Sequence, residues 1–212
     1  MKKIFSALFF AIAISGHSQD ITILEGELGF LRGQTEIDIQ FDYENIAIEG
    51  GGTEKQFKQR KIEYLNNKEA GRGDKFERNW NQFRVDYFEP KFTETFVKYS
   101  RLAVNNENAA YSLIFKATRF EDQALLVPPN EEAKPTNKLA LMDGEAWIVD
   151  RNNPDKVLAK IAIKKIPGRD AYLAGGSYNS SSMANYDVRV RLSFTYAKAG
   201  KELGAFVADK IK

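Results

Sequence analysis

The chain has 212 residues, 43% hydrophobic and 28% charged, with 15 Gly and 6 Pro, the size and balance of one globular domain. It holds no Cys, and its only His is His17, so the mature domain lacks Ser-His and Cys-His nucleophiles, thiol redox chemistry, Cys or His zinc sites and His-ligated haem. Lys and Arg number 31 against 29 Asp and Glu, and the excess of two is Lys2 and Lys3, so net charge gives no reason to expect nucleic acid or an anionic membrane as a partner.

Lys2 and Lys3 precede an apolar run from Ile4 to Ile14 and the small-x-small stretch Gly16-His17-Ser18. This pattern predicts a secretory signal peptide over residues 1–18, too short to span a membrane, and one domain over 19–212 with no transmembrane segment. A Cys at the cleavage point, which a lipid anchor of the lipoprotein type requires, is absent. The expected location is periplasmic or secreted.

From Thr35 to Tyr43 the chain alternates, with Ile37, Ile39, Phe41 and Tyr43 on one side and Glu36, Asp38, Gln40 and Asp42 on the other. This predicts a half-buried strand with a solvated acidic side. The register slips at Glu44-Asn45 before Ile46 and Ile48, which reads as a bulge or bend. Phe57, Lys61, Tyr64 and Leu65 are loosely helical; Gly71-Arg72-Gly73 breaks that pattern, and Asp74 then serves as a helix N-cap. Phe76, Trp80, Phe83 and Tyr87 follow at spacings of four, three and four, one helical face directed at the core. Glu89-Pro90 predicts an interruption, and Phe92, Phe96, Tyr99 and Ala103 a further helix.

Tyr111 to Phe120 reads as a strand. Leu139 to Val149 and Val157 to Ile166 read as a hairpin around the turn-rich segment 150–155. The Gly, Ser and Asn-rich stretch from Leu173 to Asn185 is expected to form a surface loop whose residues Ser177, Tyr178 and Asn179 are candidate ligand contacts. Asp187 to Lys210 fits either a strand followed by a helix or one helix, and the lack of Gly or Pro between Asp187 and Ala199 favours one helix. Gly200 and Gly204 beside its apolar stripe are expected to bring it close to the sheet. The expected fold class is therefore α+β, a small mixed or antiparallel sheet with two or three central helices and a C-terminal helix packed on it.

The hairpin and tail, Glu145 to Gly168 followed by Tyr196-Ala197-Lys198-Ala199-Gly200-Lys201-Glu202-Leu203-Gly204, resemble a family of uncharacterised secreted or envelope proteins of Gram-negative bacteria. The resemblance implies an α+β fold with a helical tail and carries no reaction.

The chemistry left open is that of carboxylates. Asp86, Glu89, Asp143 and Glu145 are candidates for an acid and base pair of a hydrolase acting on envelope glycans. Asp150, Asn152 and Asp155 supply oxygen donors, but their spacing matches no EF-hand, so no metal and no cofactor is expected. Charge is uneven: residues 19–52 carry one cation and eight acids, and residues 53–101 carry twelve cations and eight acids. Lys55, Lys58, Arg60 and Lys61 cluster in the first helix, either compensating the acidic strand or forming a basic face toward an anionic partner. The reading that follows is an exported, non-enzymatic binding or assembly protein of the cell envelope, its partner unknown and a homo-oligomer possible, with the glycan hydrolase as alternative.

The N-terminal pattern predicts that the exported protein begins at or near Gln19. Intact-mass spectrometry of protein recovered from the exporting cell should show loss of residues 1–18; their retention would refute the signal peptide.

Overall fold

The computed structural model describes residues 20–105, 107–128, 130–131, 139–168 and 187–212. The expected signal peptide and the candidate contacts Ser177, Tyr178 and Asn179 lie outside these residues.

The architecture is α+β, with helices on one face of a mixed sheet. The strands are β1 (Asp20–Gly26), β2 (Glu36–Asp42), β3 (Ala47–Ile48), β4 (Gly52–Thr53), β5 (Ala103–Val104), β6 (Tyr111–Glu121), β7 (Leu141–Asp150) and β8 (Asn153–Pro167). Their order is β1-β8-β7-β6-β2-β5, with β3 and β4 attached beside β6. β6, β7 and β8 form an antiparallel meander, whereas β2 runs parallel to β6, Ile39 opposite Leu113. The register slip after β2 is a bend. Asn45 adopts φ 57°, and β3 resumes along the same neighbour, β6. β1 escapes the sequence pattern because its alternation is broken by a bulge between Ile23 and Glu25.

The helices are α1 (Glu54–Lys68), α2 (Arg72–Phe83), α3 (Glu89–Ser100), the one-turn α4 (Gln123–Leu126) and α5 (Val188–Lys210). α1 opens with a capping box in which Thr53 and Gln56 satisfy each other's backbone N–H groups. α2 begins earlier than expected. Gly71 (φ 79°) precedes it and Asp74 lies in its first turn, where Asn66 donates to it. Gly73 is buried because α2 crosses α1 closely, and a Cβ there would lie 2.4 Å from the Ile62 carbonyl oxygen.

Glu89-Pro90 does not interrupt the chain. A π-helical turn, Arg84–Phe88, joins α2 to α3, and Pro90 falls in the first turn of α3, where its missing N–H does least harm. The extra residue of this turn shifts the aromatic stripe. Phe76, Trp80 and Phe83 continue as Phe88, Phe92 and Phe96, a spacing of five from Phe83 to Phe88 that one π turn accommodates. Phe88 is 1% exposed and Tyr87, expected in the core, is 46% exposed. α3 ends at Ser100, and Ala103, assigned by spacing to that helix, opens β5 beside Glu36.

The core lies between the sheet and the α3 and α5 pair. Phe92 packs on Phe115 with ring centroids 4.4 Å apart and on Phe41 at 5.4 Å. Tyr196 of α5, fully buried, stacks on Phe88 at 4.6 Å and meets Phe115 edge-on at 5.7 Å. Asp122, fully buried beneath α5, forms an ion pair with Arg191; burial pushes its carboxyl up despite that guanidinium.

The opposite sheet face is polar. One row across the strands runs Glu25, Lys160, Trp147, Ile114 and Gln40, and the next runs Ala162, Glu145, Lys116 and Asp42. Lys116 and Lys160 lie 4.1 and 5.0 Å from the Trp147 ring centroid and pair with Asp42 and Glu25. The acidic side of β2 is therefore not simply solvated: Asp38 is buried and accepts from the Ser112 hydroxyl at 2.7 Å. Asp38 and Asp42 are met from β6, and Glu36 accepts from Asn105, so the partners of these acids are not on α1.

The tail is one helix, as its unbroken pattern predicts, capped by Asp187, which accepts from the Arg189 N–H. The small residues on α5 face α3 rather than the sheet. A Cβ at Gly200 would lie 2.2 Å from the Phe92 carbonyl oxygen, and one at Gly204 2.7 Å from that of Phe96. Gly200→Ala should therefore destabilise the domain by about 1–3 kcal/mol through overpacking, against the gain of about 1 kcal/mol expected at an exposed helical Gly. Denaturant unfolding measures the sign, and a neutral or stabilised variant would refute the close approach.

Candidate functional site

The α1–α2 hairpin is held by a three-ring cluster. Phe57 lies 5.5 Å from Trp80, Phe76 lies 5.8 Å from Trp80, and Phe57 and Phe76 are 6.4 Å apart. These rings form the floor of a groove of about 850 Å³ between the hairpin, α4 and the start of α5. Its volume falls in the range of small-ligand sites. Arg72, Lys75 and Arg78 line it from α2 at three-residue spacing, so they share one flank of the helix. All three are exposed and, among the described residues, none has a carboxylate partner. Lys61 of α1 and Arg189 of α5 add to the lining. Arg189 lies 5.0 Å from the Phe83 ring centroid and is tied to Asp187 at 2.7 Å. Burial opposes ionisation of Asp187, but the hydrogen bonds from Arg189 outweigh it and hold its carboxyl below the usual range.

On the other side of the hairpin is a second groove of about 740 Å³, lined by Tyr43, Glu54, Lys55, Lys58 and Arg84. Glu54, 4% exposed, joins the two grooves from inside. Its Oε1 accepts from Trp80 Nε1 at 2.7 Å and from Arg84 Nη2 at 2.6 Å. The Arg84 guanidinium lies 4.2 Å from the Tyr43 ring centroid, and the Tyr43 hydroxyl donates to Glu89 at 3.2 Å. Burial, with Tyr196 and Glu89 nearby, raises the Tyr43 hydroxyl well above the ordinary tyrosine range. Burial likewise raises that of Tyr196. The Tyr196 hydroxyl and Arg84 Nε have no hydrogen-bond partner among the described residues.

The four basic residues singled out in the first helix do not act as one face. Lys55 and Lys58 line the second groove, with Lys58 reaching Asn81, Lys61 lines the first, and Arg60 donates to the Gly51 carbonyl. The carboxylates considered for hydrolysis are likewise divided. Asp86 accepts from Gln82, and Glu89 from Tyr43. On β7, Asp143 accepts from Arg119 and from the Lys165 N–H, which outweigh the effect of its burial and hold its carboxyl low, and Glu145 accepts from Trp147. Asp150, considered for a cation, accepts from the N–H of Asn152. The α2 cations recur every three residues, but reading Gly71-Arg72-Gly73 as a break and Asp74 as the N-cap leaves Arg72 outside the helix. Glu54 carries no sequence signal that separates it from a solvated first-turn acid.

No family model matches this chain, and no curated protein matches it. Among solved structures it is similar to the PelC dodecamer from Paraburkholderia phytofirmans, at 12% identity over 89% of this chain and 99% of that chain with a TM-score of 0.35. A point variant of that dodecamer gives 12% identity, 89% and 98% coverage and a TM-score of 0.34. Function therefore rests on this chain's own geometry.

Removing Glu54 leaves Arg84, whose side chain is 12% exposed, without its counter-charge and Trp80 Nε1 without its acceptor. Glu54→Ala should cost about 3–5 kcal/mol. The exposed Glu63→Ala on the same helix should stay within about 0.5 kcal/mol. Equal losses in parallel denaturant titrations would refute the central role of Glu54.

Proposed function

We propose that this protein is an exported, non-enzymatic binding protein of the cell envelope that holds an anionic envelope component in the groove between the α1–α2 hairpin and α5. The observation that carries the reading is the row of exposed Arg72, Lys75 and Arg78, without a carboxylate partner among the described residues, above an aromatic floor. Cations left without partners are available to a ligand, and the rings beneath supply apolar contact once the charges have met theirs. Export is supported by Lys2, Lys3 and the apolar run behind them, and by the resemblance of the hairpin and tail to secreted and envelope proteins. No helix among the described residues is long and apolar enough to cross a membrane.

Binding is the better supported half of the binding-or-assembly reading. The helix-free face of the sheet is a network of charges and one lysine-flanked tryptophan, not the broad apolar surface that a tightly assembled subunit would present. A homo-oligomer stands as a secondary proposal that rests on no surface of this kind.

The test uses the processed protein with a soluble polyuronate and its carboxyl-reduced, neutral form. The charged polymer should bind and the neutral one should not, with affinity falling as salt rises. The triple variant Arg72→Gln, Lys75→Gln, Arg78→Gln should lose at least about tenfold in affinity, the equivalent of about 1.4 kcal/mol. No binding of the charged polymer, equal binding of both, or an unaffected triple variant would overturn the reading.

A further inference from the structure

The groove beside α2 is polar along its length and not at one spot. Arg72, Lys75, Asn79 and Phe83 follow one another at spacings of three, four and four, which sets them on one line along the α2 axis, with Arg78 beside it. Arg72, Lys75, Arg78 and Asn79 are exposed and line the same groove. Phe83 closes the line and carries a cation from another element, because Arg189 of α5, also in the groove lining, lies 5.0 Å from its ring centroid. Arg189 is held there by a fork. Its Nε and Nη2 donate to the two carboxylate oxygens of Asp187 at 3.1 and 2.7 Å, which leaves the N–H groups of Nη1 for another acceptor. The acids of α2 are turned elsewhere: Asp74 accepts from Asn66, and Glu77 lines the second groove. Glu69 and Glu131, which also line the first groove, lie outside α2 and do not interrupt the line.

We infer that the groove takes a linear acidic polysaccharide, an extended chain with a carboxylate on its successive sugars, laid along α2 from Arg72 to Arg189. The inference rests on the proposed function and deepens it by naming the class of the anionic component. Span decides between a chain and a compact anion. Eleven residues of helix separate Arg72 from Phe83, about 16 Å of rise. A phosphate or a single sugar acid reaches one or two of these stations and leaves the remaining cations unmet, whereas a chain meets them in turn. Each step along the line is about 4.5 to 6 Å, of the same order as one sugar ring in an extended chain. Asn79, the neutral station, both donates and accepts, which suits ring hydroxyls. A single-stranded nucleic acid, the other linear polyanion, needs open ring faces on which its bases stack. Trp80 and Phe57 are only 2% and 9% exposed, so the groove offers charge and little stacking surface.

The experiment is a calorimetric titration of the processed protein with a ladder of oligouronates from the single sugar to the hexamer, with inorganic phosphate and tetrathymidylate beside them and the long polyuronate as reference. Affinity should climb from the dimer to the tetramer by about tenfold, the worth of two further exposed ion pairs, and then level off. Phosphate and tetrathymidylate should bind far more weakly than the tetramer. Arg189→Gln should move the plateau from the tetramer to the trimer, and Arg72→Gln should do the same from the other end of the line. A general loss of stability lowers every length together and moves no plateau. Arg72 is exposed, so Arg72→Gln carries the length test even if Arg189→Gln does not fold, which far-UV circular dichroism checks. If the long polyuronate binds but the single sugar or phosphate binds as tightly as the tetramer, the inference is overturned and the proposed function survives. Tetrathymidylate binding as tightly as the tetramer, or a plateau that neither folded variant moves, likewise overturns it. If neither the polymer nor any oligomer binds, both readings fail.

Discussion

Between Arg72 and Ser100 the chain must keep one aromatic stripe against the interior over a rod of helix that is one residue out of phase with itself. Phe76, Trp80 and Phe83 set the face; Phe88, Phe92 and Phe96 repeat it five residues later, and the π turn reconciles the two halves. Much else follows from that single inserted residue. It aims Phe92 at Phe115 and Phe41 of the sheet, it sets Phe88 flat against Tyr196 of α5, and it lets α3 run close enough to α5 for the Gly200 and Gly204 backbones to touch it. It also fixes Arg84 at its first position, over the Tyr43 ring and against Glu54.

The Glu54, Trp80 and Arg84 network explains why the α1–α2 hairpin, whose outer surface is largely polar, holds its place. Eight cations and five acids lie between Glu54 and Phe83, so the hairpin has little apolar surface to bury. Phe57, Phe76 and Trp80 pack together within it, and Glu54 anchors the open end. A buried ion pair of this kind contributes little net stability compared with an apolar substitute of the same shape, since desolvation offsets the attraction. Its effect is on geometry, because the carboxylate is satisfied only when α1, α2 and the π turn are all in place. The cationic flank of α2 is thereby presented at a fixed height above the groove floor.

The parts of this fold that were legible in the sequence are those whose pattern repeats. β2, β6 and the β7–β8 hairpin bury one face or both, so alternation and apolar runs mark them; α5 reads as a helix because nothing between Asp187 and Ala199 stops one. What stayed illegible depends on distant partners. β1 is a strand because β8 is there to pair with it, and its own alternation is spoiled by the bulge after Ile23. Gly200 and Gly204 announce a close approach but cannot say to what, and the sheet was the wrong choice. Tyr87 falls at a spacing of four from Phe83, which any helical reading counts as core; only the π turn, invisible in residue identities, turns it outward. Glu54 shows the same limit for charge, because its two hydrogen-bond donors lie 26 and 30 residues further on.

The position of α5 has a consequence for how the domain comes into being. The core between sheet and helices is closed by the element that follows all the others, and Tyr196 sits where Phe88, Phe115 and Phe120 meet. β2 and β6 cannot form their parallel pairing until the 68 residues between them have been made, and even then the aromatic faces of α3 and the sheet have no lid. A chain emerging from the ribosome, or threading through an export channel from its N-terminal end, therefore cannot complete this interior until α5 arrives. Folding is set by long-range contacts and is correspondingly slow. Under the export proposed above, such a delay would suit the chain, since what travels ahead of α5 has no finished structure to unravel.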